Sequence, residues 1–172
     1  GQLVSGLTPQ ARRNRFHGAV TLSAVHLQTM CCVDYQHQLA VVVTAQVDGA
    51  ECLIADARYC VEHEGHGAEF ALVVAERWQR LGVGAWAMRT LLHAATGAGL
   101  EWLHGDVLQG NAPMLALMQG CGFALCPDPD DEQIVRVQRR LGAPVVNLPR
   151  ARHGLRSWFP LAWPGIASVP AR

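Results

Sequence analysis

Ten residues, Glu76 to Ala85 (Glu-Arg-Trp-Gln-Arg-Leu-Gly-Val-Gly-Ala), have the types and spacing of an anion-binding turn. Gly82 and Gly84 let the main chain come close to a bound group. The helix expected after them offers unpaired amides and the positive end of its dipole. Phosphate suits such a turn, and Arg80 can add a bidentate cationic contact. A Gly-x-Gly taken alone also fits a plain strand-to-helix connection. Just upstream, Glu69 interrupts an otherwise apolar run, Ala68 to Val74, where a carboxylate is costly unless it is paired or functional. It equally fits the solvated side of a half-covered strand. Asp106 is the second carboxylate candidate, while Asp34 reads as a helix-end or hairpin-pairing residue.

The elements that must position these groups follow from periodicity. Thr21 to Tyr35 reads as a helix with Ser23 as its N-cap. Gln38 to Val47 and Glu51 to Val61 read as strands joined at Asp48-Gly49, a hairpin signal. The segment Glu62 to Gly67 turns back into a third strand from Ala68, which leads into the loop. A helix ending near Thr96 follows, with Ala85, Met88, Leu91, Leu92 and Ala95 at core spacing and Trp86 on the polar side. Glu101 to Leu108 is a strand placing Trp102, His104 and Asp106 on one face. Asn111 caps a short helix that ends at Gly120 or Gly122. Phe123 to Cys126 and Ile134 to Leu141 form a closing hairpin around an acidic, proline-rich loop.

At 172 residues the chain has the size of one domain, residues 12–141, preceded by a flexible lead (1–11) and followed by a Pro/Arg/Trp-rich tail (142–172). Burial of the tail's aromatics against the body, or in a homodimer against a second copy, is the expectation. No apolar run reaches the ~18 residues that cross a bilayer, and no signal-peptide pattern opens the chain, so a cytoplasmic protein with no membrane partner is expected. Net charge is zero, which argues against nucleic acid as a partner. All 14 basic residues are arginine, so the chain has no side-chain amine of its own. Six cysteines without Cys-x-x-Cys spacing, Cys31-Cys32 among them, read as free thiols. His63-Glu64-Gly65-His66 lacks the spacing of a helical metal site, and no metal is expected.

The Gln79-x-x-Gly82-x-Gly84-Ala85 loop, the strand beyond its helix, Asn111-Ala-Pro-Met-Leu-Ala-Leu-Met118 and Gly122-Phe123 together resemble the GNAT superfamily of acyl-CoA-dependent N-acyltransferases. Arg15-Phe16, Val33-Asp-Tyr-Gln-His-Gln-Leu-Ala40, Ala57-Arg58-Tyr59 and Ala68-Glu69-Phe70 resemble, within it, the GNAT domain of bacterial protein-lysine acetyltransferases that silence acyl-CoA synthetases. The resemblance implies an α/β (α+β) fold, a mixed and mostly antiparallel sheet flanked by helices. It also implies acetyl-CoA as co-substrate and direct transfer to an amine. Such relatives usually carry a further ligase-like or nucleotide-sensing domain, for which a chain of this length has no room, so regulation through it is expected to be lost or supplied by a partner.

By that resemblance the backbone of Leu72, Val73 and Val74, beside a splay in the sheet, pairs with the acyl-pantetheine arm. Gln79, Arg80, Leu81, Gly82, Val83, Gly84 and Ala85 cradle the pyrophosphate. Asn111 adds a pantetheine contact to its capping role. A lysine amine, with an ordinary pKa of about 10.4, arrives protonated and needs a base, and Glu69 stands where the relatives place theirs. Two departures matter. Relatives often carry a small residue at the position of Arg80 and a basic one at Leu81, and they often carry a tyrosine at Met118, which can donate no proton. Tyr35, Tyr59, a water, or no general acid at all is then left to serve thiolate release. The implied acceptor is a protein lysine, such as one on an acyl-CoA synthetase. A small-molecule amine acetyltransferase and a non-catalytic CoA-binding regulatory protein are the alternatives.

Overall fold

The computed structural model describes residues 8, 33–63 and 65–142. The Ser23 cap, Cys31, Cys32, Arg15-Phe16, Glu64 and the tail from 143 lie outside them. A mixed, mostly antiparallel six-stranded sheet in the order β1-β2-β3-β4-β6-β5 is flanked by helices. The strands are β1 (Gln38–Val47), β2 (Ala50–Val61), β3 (Gly67–Val74), β4 (Trp102–Leu108), β5 (Ala124–Pro127) and β6 (Ile134–Arg140). Helix α1 (Val83–Gly97) follows the loop, after a single 3-10 turn at Glu76–Trp78, and α2 (Ala112–Gly120) links β4 to β5.

The first hairpin turns at Asp48 and Gly49, both left-handed (φ 51° and 78°), the geometry a two-residue turn needs to match strand twist. Of the helix expected over 21–35, only residues 33–35 are described. Val33 to Tyr35 are not helical, because the Asp34 carboxylate accepts from the amides of Gln36, His37 and Gln38, and Tyr35 is left-handed at φ 60°. Those bonds, led by the one from Gln38, hold the Asp34 carboxyl well below the ordinary carboxylate range. Depression of a folded-state pKa adds stability above the ordinary value and forfeits it as pH falls below. Asp34→Asn should therefore lower stability at neutral pH, with the deficit vanishing in acid, as read by urea unfolding at both pH values.

One face of β2, β3, β4 and β6 carries Ala57, Phe70, Leu103 and Val137, which pack against Met88, Leu91 and Met118 in the main core. Ala87 is fully buried where the periodicity had Ala85 in the core, and Ala85 is half-buried instead. Trp86, expected with the polar side, is partly buried against this core. Phe123 meets Phe70 with ring centroids 5.2 Å apart, tying β5 to the sheet's centre.

Between the sheet's two halves the contact is short. β3 and β4 run parallel and pair at three positions only, Gly67 with Trp102, Ala68 with Leu103 and Glu69 with His104. Beyond Glu69 the strands part, although β3 runs on to Val74. Gly105 sits at the parting point. A Cβ there would lie 3.1 Å from both the Phe70 ring and the Phe70 carbonyl oxygen. Gly105→Val should destabilise the fold by about 1–3 kcal/mol, measured by chemical denaturation, and a neutral result would remove the steric account.

Candidate active site

The parting of β3 and β4 opens a cleft of about 640 Å3, within the usual size of small-molecule sites. Leu72, Val73 and Val74 form one wall. They still pair with β2 on their other edge, so their free edge faces the gap where β4 has left. Gln79, Arg80, Gly82, Gly84 and Ala85 form its end. The opposite wall is Gly110, Asn111, Pro113, Met114 and Leu117, from α2 and the turn before it.

The loop owes its shape to backbone freedom at two points. Gly82 caps α1 at φ 83°, a conformation costly for other residues. Gly84 is needed for space. A Cβ there would lie 3.2 Å from Leu117 Cδ2 and 3.4 Å from Val74 Cγ2, inside the cleft. The first helical bond of α1 runs from the Trp86 amide to the Gly82 carbonyl, leaving the amides of Val83, Gly84 and Ala85 without an acceptor in the helix. Gln79 donates its side-chain amide to the Val74 carbonyl at 2.9 Å, linking loop to strand.

Two residues of the loop contribute no side chain to the cleft. Leu81 points to solvent, 51% exposed, and Val83 packs with Ile54 and Ala55 in a second small core. Any part they play is through the main chain. Arg80 is left-handed at φ 62°, a conformation that side chains adopt at a cost that glycine does not bear. Arg80→Gly should thus act in two directions. Relief of the backbone should raise stability by about 1 kcal/mol. Loss of the guanidinium should weaken CoA binding about tenfold. Thermal unfolding and calorimetric titration on one sample pair read both signs.

Asn111 is 9% exposed, caps α2 by accepting from the Met114 amide (3.4 Å) and lines the cleft as well. Met118 is fully buried in the main core. Tyr59 is also buried in that core, and burial first, then the Asp34 charge, pushes its phenol up. Tyr35 is 70% exposed. Among the described residues, Arg80 is the sole ionisable group lining the cleft.

Glu69 lies outside this cleft, on the sheet face opposite α1, at the last paired position before the strands part. Its carboxylate is solvent-exposed and lines a second, smaller hollow with Gln38, Arg58 and Cys60. At ~3.3 Å per strand residue, Glu69 stands roughly 10 Å before Leu72. Asp106, the other carboxylate considered, is committed elsewhere. Arg136 holds it with two bonds, Nε at 2.9 Å and Nη2 at 3.2 Å, a bidentate pair that pushes the guanidinium's pKa up.

Residues 11–123, which include the fork in the sheet and the glycine-bounded loop at its open end, match the model of the acetyltransferase (GNAT) family. The chain belongs to that family. It is 30% identical over 131 residues to acetyltransferase PA5475 of Pseudomonas aeruginosa, covering 76% of this chain and 70% of that relative. The GNAT domain of S. lividans PAT has the same fold, with a TM-score of 0.69 at 22% identity over 81% of this chain and 84% of that one. A cAMP-binding acyltransferase from Mycobacterium smegmatis gives a TM-score of 0.55 at 24% identity over 84% of this chain, which spans 42% of that protein.

The residues present fit the co-substrate of a GNAT acetyltransferase. A free strand edge suits an amide-bearing arm, the loop amides and Arg80 suit a pyrophosphate, and the space that a Gly84 Cβ would fill is kept open. Among the described residues the free thiols are Cys52 and Cys60 on β2, Cys121 at the end of α2 and Cys126 on β5, and none of them lines the cleft. His63 and His66 are exposed in the turn before β3. No described helix is long and apolar enough to cross a membrane.

Proposed function

We propose that this chain transfers acetyl from acetyl-CoA directly to the side-chain amine of a protein lysine, with Glu69 as general base. The observation that carries the reading is the position of Glu69: an exposed carboxylate at the fork's apex, on the strand whose next residues wall the cofactor cleft. Acetyl-CoA supplies the thioester carbonyl. The backbone of Leu72 to Val74 orients the arm, the 79–85 loop and Arg80 hold the pyrophosphate, and Asn111 adds an amide contact. Glu69 takes a proton from the ammonium, directly or through a water, freeing the nitrogen lone pair. Among the described residues only Arg80 is ionisable along the cleft, and a thiolate of modest basicity can depart without a side-chain acid.

The choice of lysine rests on the Ala68-Glu69-Phe70, Ala57-Arg58-Tyr59 and 33–40 segments and their resemblance to bacterial protein-lysine acetyltransferases. Acyl-CoA synthetases of the cytoplasm are the proposed acceptors. The buried Met118, which can donate no proton, favours one alternative, a CoA-binding regulatory protein without turnover. The experiment is transfer of labelled acetyl from acetyl-CoA to bacterial lysate proteins. A lysine-free chain gives no side-chain background of its own. Discrete labelled bands, absent with Glu69→Gln, are expected. Absent bands with intact CoA binding would replace this reading with a small-amine acceptor or a non-catalytic binder.

A further inference from the structure

We propose that the outer edge of β1 pairs with β1 of a second copy of this chain, antiparallel about a two-fold axis, joining two six-stranded sheets into one. The sheet has two edges, and the chain treats them differently. β5, at one end, is four residues long and finishes on Pro127. A short strand ending in a residue without an amide proton offers little to another strand. β1, at the other end, runs for ten residues, Gln-Leu-Ala-Val-Val-Val-Thr-Ala-Gln-Val, with no charge, proline or glycine among them. A long, uncharged edge of this kind is a template for pairing. Its one irregularity lies on the neighbour. Val43 pairs with Ala55 and Thr44 with Leu53, so the extra residue is Ile54 of β2 and β1 itself stays regular.

The hydrogen bonds show which groups face outward. The Val61 amide donates to the His37 carbonyl at 2.7 Å, and an antiparallel ladder alternates from there. Odd-numbered residues of β1 therefore face β2, and even-numbered ones turn their amides and carbonyls away. Gln38 fits this alternation. Its amide donates to Asp34 Oδ1 at 2.8 Å and its carbonyl accepts from the Tyr35 amide at 3.0 Å, so the chain closes its own edge at that point. Ala40, Val42, Thr44 and Gln46 are the next outward positions, and among the described residues no strand lies beside them. A second copy fits there because β1 is its own complement. About a two-fold axis at Val43, Val42 faces the second copy's Thr44, and Ala40 faces its Gln46. That register uses all four outward residues of each strand, stops short of the closed Gln38, and meets no charged residue between 40 and 46. It also covers part of Val42, exposed on the face away from the core that takes Val41. The cofactor cleft opens between β3 and β4, two strands further in, and stays clear of the contact.

A contact along Ala40 to Gln46 is smaller than a standard interface, so a reversible dimer is expected. Sedimentation equilibrium of the full chain should show that dimer at about 100 µM and its dissociation below about 1 µM. Val42→Pro removes only an outward amide and leaves the ladder to β2 intact. It should be monomeric throughout while still unfolding cooperatively with temperature. Should proline disturb the strand itself, Val42→Arg keeps every amide and sets two like charges on one face across the axis, weakening the dimer about fivefold or more. Amide exchange reads the edge position by position. Raising the wild-type concentration through the transition should slow exchange at Ala40, Val42, Thr44 and Gln46 about tenfold or more, while Val41 and Val43, already bonded to β2, change little. A wild-type monomer at the higher concentration would overturn the proposal. So would a dimer that both variants leave intact, since the contact would then lie elsewhere. Slow exchange at the even positions that ignores concentration would overturn it too, marking an edge covered by the chain's own residues.

Discussion

Glu69→Gln is expected to lower kcat about 10²–10⁴-fold, the usual weight of a general base, with acetyl-CoA affinity nearly unchanged. The substitution is isosteric and sits on an exposed position, so the fold should not respond. The cofactor cleft begins at Leu72, roughly 10 Å further along the strand. What is lost is proton removal, and the pH dependence should say so. A lysine amine is the free base in a fraction that rises about tenfold per pH unit below its pKa of ~10.4. The variant's kcat/KM should therefore climb with unit slope toward that value, closing on the wild type as the solvent does the work of the missing carboxylate. Release of free CoA thiol across pH 7 to 10 measures it. A variant with wild-type turnover at neutral pH would end the case for Glu69.

Gly84→Val should all but abolish acetyl-CoA binding. Leu72, Val74 and Leu117 already converge on this glycine, with the nearest carbon 3.2 Å from where a Cβ would be. Valine's two methyls would project into the cleft between strand and α2. A loss of affinity of about 100-fold or more is expected, since the added side chain must push Leu117 aside or occupy ligand space. Alanine should fall between, because a single Cβ asks its neighbours to give by only a few tenths of an ångström. Isothermal titration with CoA reads the effect, and thermal unfolding without ligand separates it from a general loss of stability. If the valine variant binds CoA normally, the cleft is not the cofactor's place.

Local chemistry was legible in the chain and distant pairing was not. Asp48-Gly49 declared its hairpin because a two-residue turn is fixed by the residues in it, and β1 runs over the expected Gln38–Val47. Asn111 declared its helix because a cap bonds its own first turn. The Val33–Tyr35 stretch misled because its apolar spacing continues a helical pattern, while Asp34's bonds to three following amides stop it. Asp106 looked available because Arg136 comes from a strand that folds back beside it only in three dimensions. The wall formed by Pro113, Met114 and Leu117 was missed for a different reason. Helix α2 is apolar on nearly every side, so periodicity could not say which face meets the cleft and which takes Met118 into the core. His104 was read on the face of Asp106, but its contact with Glu62 joins residues far apart in the chain, which only the fold brings together.

The three-position seam between β3 and β4 has a thermodynamic corollary. A sheet whose halves are stitched so briefly is least secure along that line, and its exposed edge there lacks the next strand. A ligand whose arm lies in the gap supplies that strand's hydrogen bonds, so occupancy and integrity of the sheet are linked. By mass action, ligand at 100 times its Kd would add about 2.7 kcal/mol to folding. Amide exchange along Leu72 to Val74 should then slow with rising CoA. The lifetime of the folded chain in a cell would then follow the size of the CoA pool, making the supply of acyl donor a condition for the protein's own persistence.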